Sequence, residues 1–169
     1  MMKIIALGLL TFMCCGMGCA QVIKNTESQA KPNQESNTEL TIDRKKAREL
    51  SDSITEAIIE DRYKDIYTKM GKTFREAITE KGMKPALNKL YSTSRRPLEV
   101  KYKMDDTNFE MFNGQKRPIR IFYYVVRTSK KDNGTYFLII NIVLEENSLV
   151  CSTFFFMNYS NDEIPPQLQ

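Results

Sequence analysis

The sequence predicts an α+β domain over residues 43–160, in which N-terminal helices pack on a curved antiparallel β-sheet. Between residues 43 and 70, apolar residues recur at intervals of three and four, as they do on one face of a helix. From residue 97 onward they alternate with polar residues instead, as they do along a half-buried strand. A block of helices followed by a block of strands is typical of the α+β class.

Three helices are expected before the sheet. Asp43 can cap the first helix, and its apolar face consists of residues at helical spacing: Ala47, Leu50, Ile54, Ala57 and Ile58. The apolar stripe drifts at residues 60–62, which indicates a bend before a second helix over residues 63–70 that ends at Gly71. The third helix is predicted at about residues 84–91.

Five strand segments follow, at residues 97–104, 109–112, 119–128, 135–144 and 149–159. They are separated by turn sequences, namely Asn113-Gly114, Asp132-Asn133-Gly134 and Glu146-Asn147, so an antiparallel meander is expected. The segment 119–128 carries apolar side chains on both faces. One face must meet the helices, and the other must be a pocket, an interface with another chain or a deep core.

The composition excludes several classes of function. The 169 residues include 25 Lys and Arg against 21 Asp and Glu, so the charge is close to balanced and no nucleic-acid-binding surface is indicated. The chain contains no His. This absence rules out Ser-His-Asp and Cys-His catalysis and disfavours a zinc site. We therefore expect no metal and no cofactor.

The first 20 residues have the pattern of a signal peptide, which implies that the protein is exported. Lys3 supplies the positive charge, residues 4–13 form a short apolar run, and the small residues Gly16, Gly18 and Ala20 follow. The apolar run is too short to cross a bilayer, which takes about 20 residues.

The signal peptide offers two sites of cleavage. The stretch Gly16-Met17-Gly18-Cys19 resembles a bacterial lipobox, which predicts a lipid on Cys19 and attachment of the protein to a membrane of the cell envelope. Cleavage after Ala20 would give a secreted protein without a lipid. Residues 21–42 are polar and are predicted to be a flexible tether, and residues 161–169 a C-terminal tail.

The candidate site residues come from the strands. Asn141 is a polar residue inside an apolar strand, so it indicates a pocket, a bulge or a hydrogen-bonded network. Tyr123 and Tyr124, which alternation places on opposite faces of the strand, are further candidates for the lining of a pocket. Cys151 is interpreted as a buried apolar residue and not as a nucleophile. The pair Asp105-Asp106 matches no calcium-loop pattern and is interpreted as a solvated turn.

Two basic pairs precede prolines, Arg95-Arg96 before Pro97 and Lys116-Arg117 before Pro118. Either pair could contact an anionic lipid or glycan if the protein is held at a membrane. Two charges are few for such a site, so both pairs are interpreted as ordinary surface.

The order of elements resembles the NTF2-like (cone-shaped, cystatin-like) superfamily, and particularly its small exported bacterial members. The stretches that carry the resemblance are the apolar face of the first helix, residues 61–67, Thr73-Phe74-Arg75 and the terminal meander, over about residues 43–159. The resemblance implies that a helix layer and a bent sheet form a cone with an opening. Some members of the superfamily are enzymes with Asp, His or Tyr in the cone, whereas many bind or assemble.

Three functions follow as hypotheses. The first is an exported, lipid-anchored envelope protein with a non-enzymatic domain that binds a protein or a small molecule. The second is a small cone-type enzyme that uses Tyr and Asp without His. The third is an assembly subunit that forms a homodimer through its sheet.

Overall fold

Four helices precede a four-stranded sheet in the computed structural model, which describes residues 42–128, 134–160 and 163–169. The helices are α1 (Arg44–Ile59), α2 (Tyr63–Lys69), α3 (Lys72–Ala77) and α4 (Glu80–Ser94). The strands are β1 (Pro97–Phe112), β2 (Gln115–Thr128), β3 (Gly134–Glu145) and β4 (Ser148–Ser160), and a 3-10 turn spans Pro166–Leu168. The predicted signal peptide, Cys19, the tether up to residue 41 and the turn residues 132–133 lie outside the described residues.

Helix α1 begins where the sequence places its cap. The Asp43 carboxylate accepts the backbone N–H of Lys46 at 2.9 Å, which satisfies one of the free donors of the first turn. The predicted apolar face is buried except for Leu50, which is partly buried, and Ile54 and Ile58 are completely inaccessible. Ile42, at the end of the predicted tether, is only 7% exposed and packs in the same core.

Helix α4 is longer than the predicted third helix at residues 84–91. It begins at Glu80 because Thr79 is its N-cap, and the Thr79 hydroxyl accepts the N–H of Gly82 at 3.2 Å. Pro85 lies inside the helix, where it removes one backbone hydrogen bond without ending the helix. A separate helix α3, which was not predicted, fills the stretch between α2 and α4.

The sheet is a continuous antiparallel meander in the order β1-β2-β3-β4. Asn113-Gly114 and Glu146-Asn147 form two-residue turns, and all four residues have positive φ, as type I′ hairpin turns require. The predicted segments 97–104 and 109–112 are one strand, β1. Strand β2 begins at Gln115 and includes Pro118. Pro118 lies before the part of β2 that pairs with β3, because that pairing begins at Arg120.

Three register shifts interrupt the ladders. Two lie in β1, between Pro97 and Glu99 and between Tyr102 and Met104, and the third adds Ser152 to β4 opposite the Asn141–Ile142 step. Bulges of this kind bend a strand and increase its twist. The sheet is open and curved, with the helices before it in the chain, so the predicted α+β class is confirmed.

The main core lies between the helices and one face of the sheet. Its largest sheet residues are Phe122, Tyr124, Leu138, Ile140, Phe154 and Phe156. They pack against residues of the helices that include Ile54, Ile58, Ile66, Met83, Leu87 and Leu90. Cys151 is completely buried in this core, as predicted.

A second, smaller core lies on the opposite side, here called the second sheet face. It contains Phe137 and Ile139 of β3, which are 1% and 4% exposed. The C-terminal segment 163–169 packs on it and buries Leu168 to 4% exposure. Lys103 Nζ donates to the carbonyl oxygen of Gln169 at 2.5 Å. The predicted tail therefore forms part of the packed structure over residues 163–169.

Strand β1 is an outer strand of the sheet, and two of its backbone donors are bound by neighbouring side chains. The backbone N–H of Thr107 donates to the Asp106 carboxylate at 2.7 Å, and that of Phe109 donates to the Asn108 amide oxygen at 2.8 Å. Phe109 and Met111 are exposed there by 55% and 66%. The strand thus combines exposed apolar side chains with backbone donors that its own side chains already satisfy.

Candidate functional site

The two predicted tyrosines lie on opposite faces of the sheet because side chains alternate along a strand. Tyr124 is 2% exposed and faces the helices, where its hydroxyl lies 2.8 Å from Ser51 Oγ and 2.8 Å from Asp52 Oδ1. Burial raises the pKa of Tyr124 above its ordinary value. Tyr123 lies on the second sheet face, where burial likewise raises its pKa.

Asn141 shares the second sheet face with Tyr123. It is paired with Ile121 of β2 on one side and with Thr153 of β4 on the other. The residue is half-buried, and among the described residues its Oδ1 atom is buried without a hydrogen-bond partner. A buried amide oxygen without a partner is costly, so this position has an unused capacity for a donor.

A cavity of about 400 Å³ is lined by residues of α3 and of all four strands. We call it the α3 cavity. Thr153, the β4 neighbour of Asn141, lines it together with Ser152. Its apolar walls are formed by Phe74, Ala77, Ile78 and Met111. Three charged residues, Glu110, Arg117 and Glu145, also line it.

The chain holds α3 over this end of the sheet through β4. Met70 forms a parallel bridge with Cys151, and the N–H of Gly71 donates to the carbonyl oxygen of Cys151 at 2.8 Å. The next residue, Lys72, donates its backbone N–H to Glu145 Oε2 at 2.9 Å. A Cβ on Gly71 would lie 2.8 Å from Glu145 Oε1, so only glycine lets the backbone approach this carboxylate undisturbed.

The charged residues of the cavity form a row. Arg117 donates to Glu110 Oε1 at 2.5 Å and to Glu145 Oε1 at 3.1 Å, and its guanidinium lies 4.0 Å from the centre of the Phe112 ring. The three charged side chains are only 17–24% exposed. Charge pairs that are largely shielded from water interact more strongly than exposed ones.

Sequence reasoning missed this row because it interpreted Lys116-Arg117 as ordinary surface, which is wrong for Arg117. A signal was present, since the two-residue turn at Asn113-Gly114 sets the hairpin register and places Glu110 directly opposite Arg117. An adjoining depression of about 340 Å³ shares Arg117 and Glu145 with the α3 cavity and carries Lys72 and Lys116 on its rim.

The prediction for Asp105 is also wrong, because Asp105 lies inside β1 and its side chain is 5% exposed. Arg44 of α1 binds this carboxylate through Nε and Nη2, at 2.8–3.1 Å. Arg120 Nη1 donates to it at 2.7 Å and the Tyr102 hydroxyl at 2.6 Å. The Arg44 guanidinium, assisted by Tyr102 and Arg120, holds the pKa of Asp105 well below its usual range.

The pKa shifts of the buried residues move these groups away from titration at neutral pH. Asp105 has a lowered pKa because of its arginine partners, whereas burial raises the pKa of Tyr124 and of the Cys151 thiol. An efficient general acid or base has a pKa near the working pH. Residues shifted in these directions are suited to holding a structure or a ligand in place.

No protein-family model matches the chain, and no curated protein or solved structure is significantly similar to it. Within residues 42–128, 134–160 and 163–169, no group of three or more His, Cys, Asp or Glu side chains is arranged to hold a metal ion. In the same ranges, no helix has the length and apolar character needed to span a membrane.

Proposed function

We propose that this protein is an exported, lipid-anchored protein of the cell envelope whose domain binds a small ligand in the α3 cavity without catalysing a reaction. The observation that carries the binding function is the α3 cavity, which combines apolar walls with the shielded row of Glu110, Arg117 and Glu145. Ligand sites are typically concave, mostly apolar and provided with a few polar groups, at volumes of about 300–1,000 Å³.

The order of helices followed by a curved antiparallel meander supports a cone of the NTF2-like type as part of this proposal. A helix layer and a bent sheet form the walls of such a cone, and residues of α3 and of the β1–β2 hairpin line the cavity. The signal peptide and the lipobox-like stretch ending at Cys19 support the envelope location.

Ligand binding is tested by a fragment screen on the isotope-labelled protein. We expect fragments to shift the backbone amides of Phe74, Met111 and Thr153, because these residues line the cavity. Ala77→Phe fills the cavity from an exposed position on α3 and should abolish these shifts. Glu76→Gln, on the same helix but outside the lining, is the matched control. Fragments that shift only distant amides would contradict the proposal.

The anchor is tested by the intact mass of the protein after expression with its own signal in a bacterium that processes lipoproteins. A diacyl or triacyl adduct that Cys19→Ser removes is the expected result. A mass that matches an unmodified chain beginning at Gln21 would instead mean a secreted protein. The ligand site does not depend on this outcome.

A second candidate function is homodimer formation through the second sheet face. Ile121, Tyr123, Val125 and Phe155 are only half-buried there, although they pack around the small core. A stable dimer of this kind would bury at least about 1,000 Å² in total. Sedimentation of the wild type and of Tyr123→Lys distinguishes the cases, because a charge at the centre of an interface should produce monomers.

A further inference from the structure

The lining of the α3 cavity is acidic. Glu110 and Glu145 contribute two negative charges, and Arg117 contributes one positive charge. The other lining residues of the cavity carry no ionisable group of either sign, so the formal charge of the lining is −1. Because these three charged side chains are only 17–24% exposed, the imbalance favours a ligand with a positive charge.

The guanidinium of Arg117 is already occupied. It is paired with both carboxylates and stacked on Phe112. An anionic ligand would bring a third negative charge beside two carboxylates that share this single guanidinium, and like charges at close range repel each other.

The carboxylate of Glu110 has spare acceptor capacity. Its Oε1 atom accepts from Arg117, whereas the contact of Oε2 with the Ser152 hydroxyl is long, at 3.5 Å. A carboxylate accepts up to about four hydrogen bonds. Glu145, by comparison, already accepts from Arg117 and from the Lys72 backbone. Glu110 is therefore the group best placed to receive a new donor.

Apolar walls face the rest of the cavity. Phe74 and Ala77 of α3, Ile78 directly after it and Met111 of β1 provide them, and Met111 is 66% exposed. A ligand that fits must therefore present one polar head to Glu110 and an apolar body to α3. Burial of that body adds affinity in proportion to its apolar area.

We propose that the α3 cavity takes a small amphipathic amine, with its ammonium group bound by Glu110 and its hydrocarbon part packed against α3. This inference rests on the proposed function, since it names the ligand class of the same cavity. The ammonium donates to Glu110 Oε2, and the Ser152 and Thr153 hydroxyls are the neighbouring polar groups of the lining. Charge-assisted hydrogen bonds of this type are about twice as strong as neutral ones.

Three probes of equal chain length test the ligand class: hexylamine, hexan-1-ol and hexanoate. Each is titrated into the Cys19→Ser protein, which carries no acyl group that could provide a second apolar site. Binding is followed through the amide shifts of Phe74, Met111, Ser152 and Thr153. We expect hexylamine to bind at least about tenfold more tightly than hexan-1-ol, and hexanoate to bind most weakly.

Variants then locate the ammonium group. Glu110→Gln keeps the shape of the side chain but removes its charge, so the advantage of the amine over the alcohol should fall below about twofold. Glu76→Gln removes an exposed carboxylate on α3 outside the lining and should preserve the advantage. Thermal unfolding of each variant verifies the fold. The comparison of the three probes on the Cys19→Ser protein requires no substitution in the cavity.

The outcomes separate this inference from the proposed function. Equal binding of the amine and the alcohol, or a preference for hexanoate, overturns the amine class but retains a ligand cavity, provided that Ala77→Phe abolishes the binding. If no probe or fragment binds in the cavity, both proposals fail. A preference for the amine that persists in Glu110→Gln places the ammonium elsewhere and overturns the assignment to Glu110.

Discussion

The hydroxyl group of Tyr124 lies 2.8 Å from the hydroxyl oxygen of Ser51, and this contact joins the centre of the sheet to α1 across 73 residues of chain. Both residues are buried. The carboxylate of Asp52 lies at the same distance from the Tyr124 hydroxyl and is also bound by Arg48 at 2.8 Å. The aromatic ring thus fills the core, while its polar end is satisfied by one turn of α1.

Tyr124→Phe should lower the free energy of unfolding by about 1–2 kcal/mol, because it leaves the buried Ser51 hydroxyl without this partner. Tyr123→Phe is the matched control on the opposite face and should change stability by less than about 0.5 kcal/mol. Urea unfolding of both variants measures the difference. Equal losses would show that the contact with Ser51 does not stabilise the fold.

Asp105→Asn should destabilise the protein at neutral pH by about 2 kcal/mol, because Arg120 would lose its carboxylate partner in a shielded position. The exposed neighbour Asp106 provides the matched control, and Asp106→Asn should keep the wild-type urea midpoint at pH 7.

Acid should destabilise the wild type through the same residue. The pKa of Asp105 is lower in the folded state than in the unfolded chain, so protons bind the unfolded state more readily. The stability that Asp105 contributes is therefore complete above the unfolded pKa of about 3.9 and is lost as the pH falls below it. Urea midpoints between pH 6 and pH 2 should fall more steeply in the wild type than in Asp105→Asn. Parallel curves would exclude Asp105 as a source of the acid sensitivity.

Leu168→Ala should lower the free energy of unfolding by about 2 kcal/mol, the lower end of the range for a buried leucine. The loss is small because the short C-terminal segment can detach from the second sheet face without unfolding the rest of the domain. Gln167→Ala changes the exposed neighbour and should have almost no effect. Amide hydrogen exchange is the second measurement, and its rate should rise for residues 163–169 in Leu168→Ala but not in Gln167→Ala.

The Cys151 thiol should be inert in the folded protein. Burial raises the pKa of this thiol, and the thiolate is the reactive form. We expect a thiol reagent to label Cys151 only in urea, with peptide mass analysis distinguishing it from Cys14, Cys15 and Cys19 of the N-terminal region. Rapid labelling without denaturant would mean that the edge between Met70 and β4 opens readily.

The periodicity of the sequence was sufficient for the fold class. Alternation along residues 119–128 predicted the two faces of β2, and the turns at Asn113-Gly114 and Glu146-Asn147 predicted two hairpins. The start of α4 was missed because the cap at Thr79 lies several residues before the first buried position, Met83. Capping residues act locally and leave no periodic signal.

The site was less predictable. Asn141 was singled out as a polar residue in an apolar strand, and it does lie beside a lining residue of the cavity, Thr153. Asp105 could not be assigned in this way, because aspartate is uncommon in strands and its partner Arg44 is 61 residues away in the chain. The burial of Leu168 also depends on contacts that only the completed fold creates.

The local hydrogen bonds at Thr107 and Phe109 of β1 affect how this protein behaves at high concentration. An outer strand with exposed Phe109 and Met111 can pair with a strand of a second chain, and such pairing is the first step of fibril growth. The strand of a second chain would first have to break the local hydrogen bonds that Asp106 and Asn108 accept from Thr107 and Phe109. The side chains of Phe109 and Met111 thus stay exposed, while the local hydrogen bonds oppose the addition of further strands to the sheet.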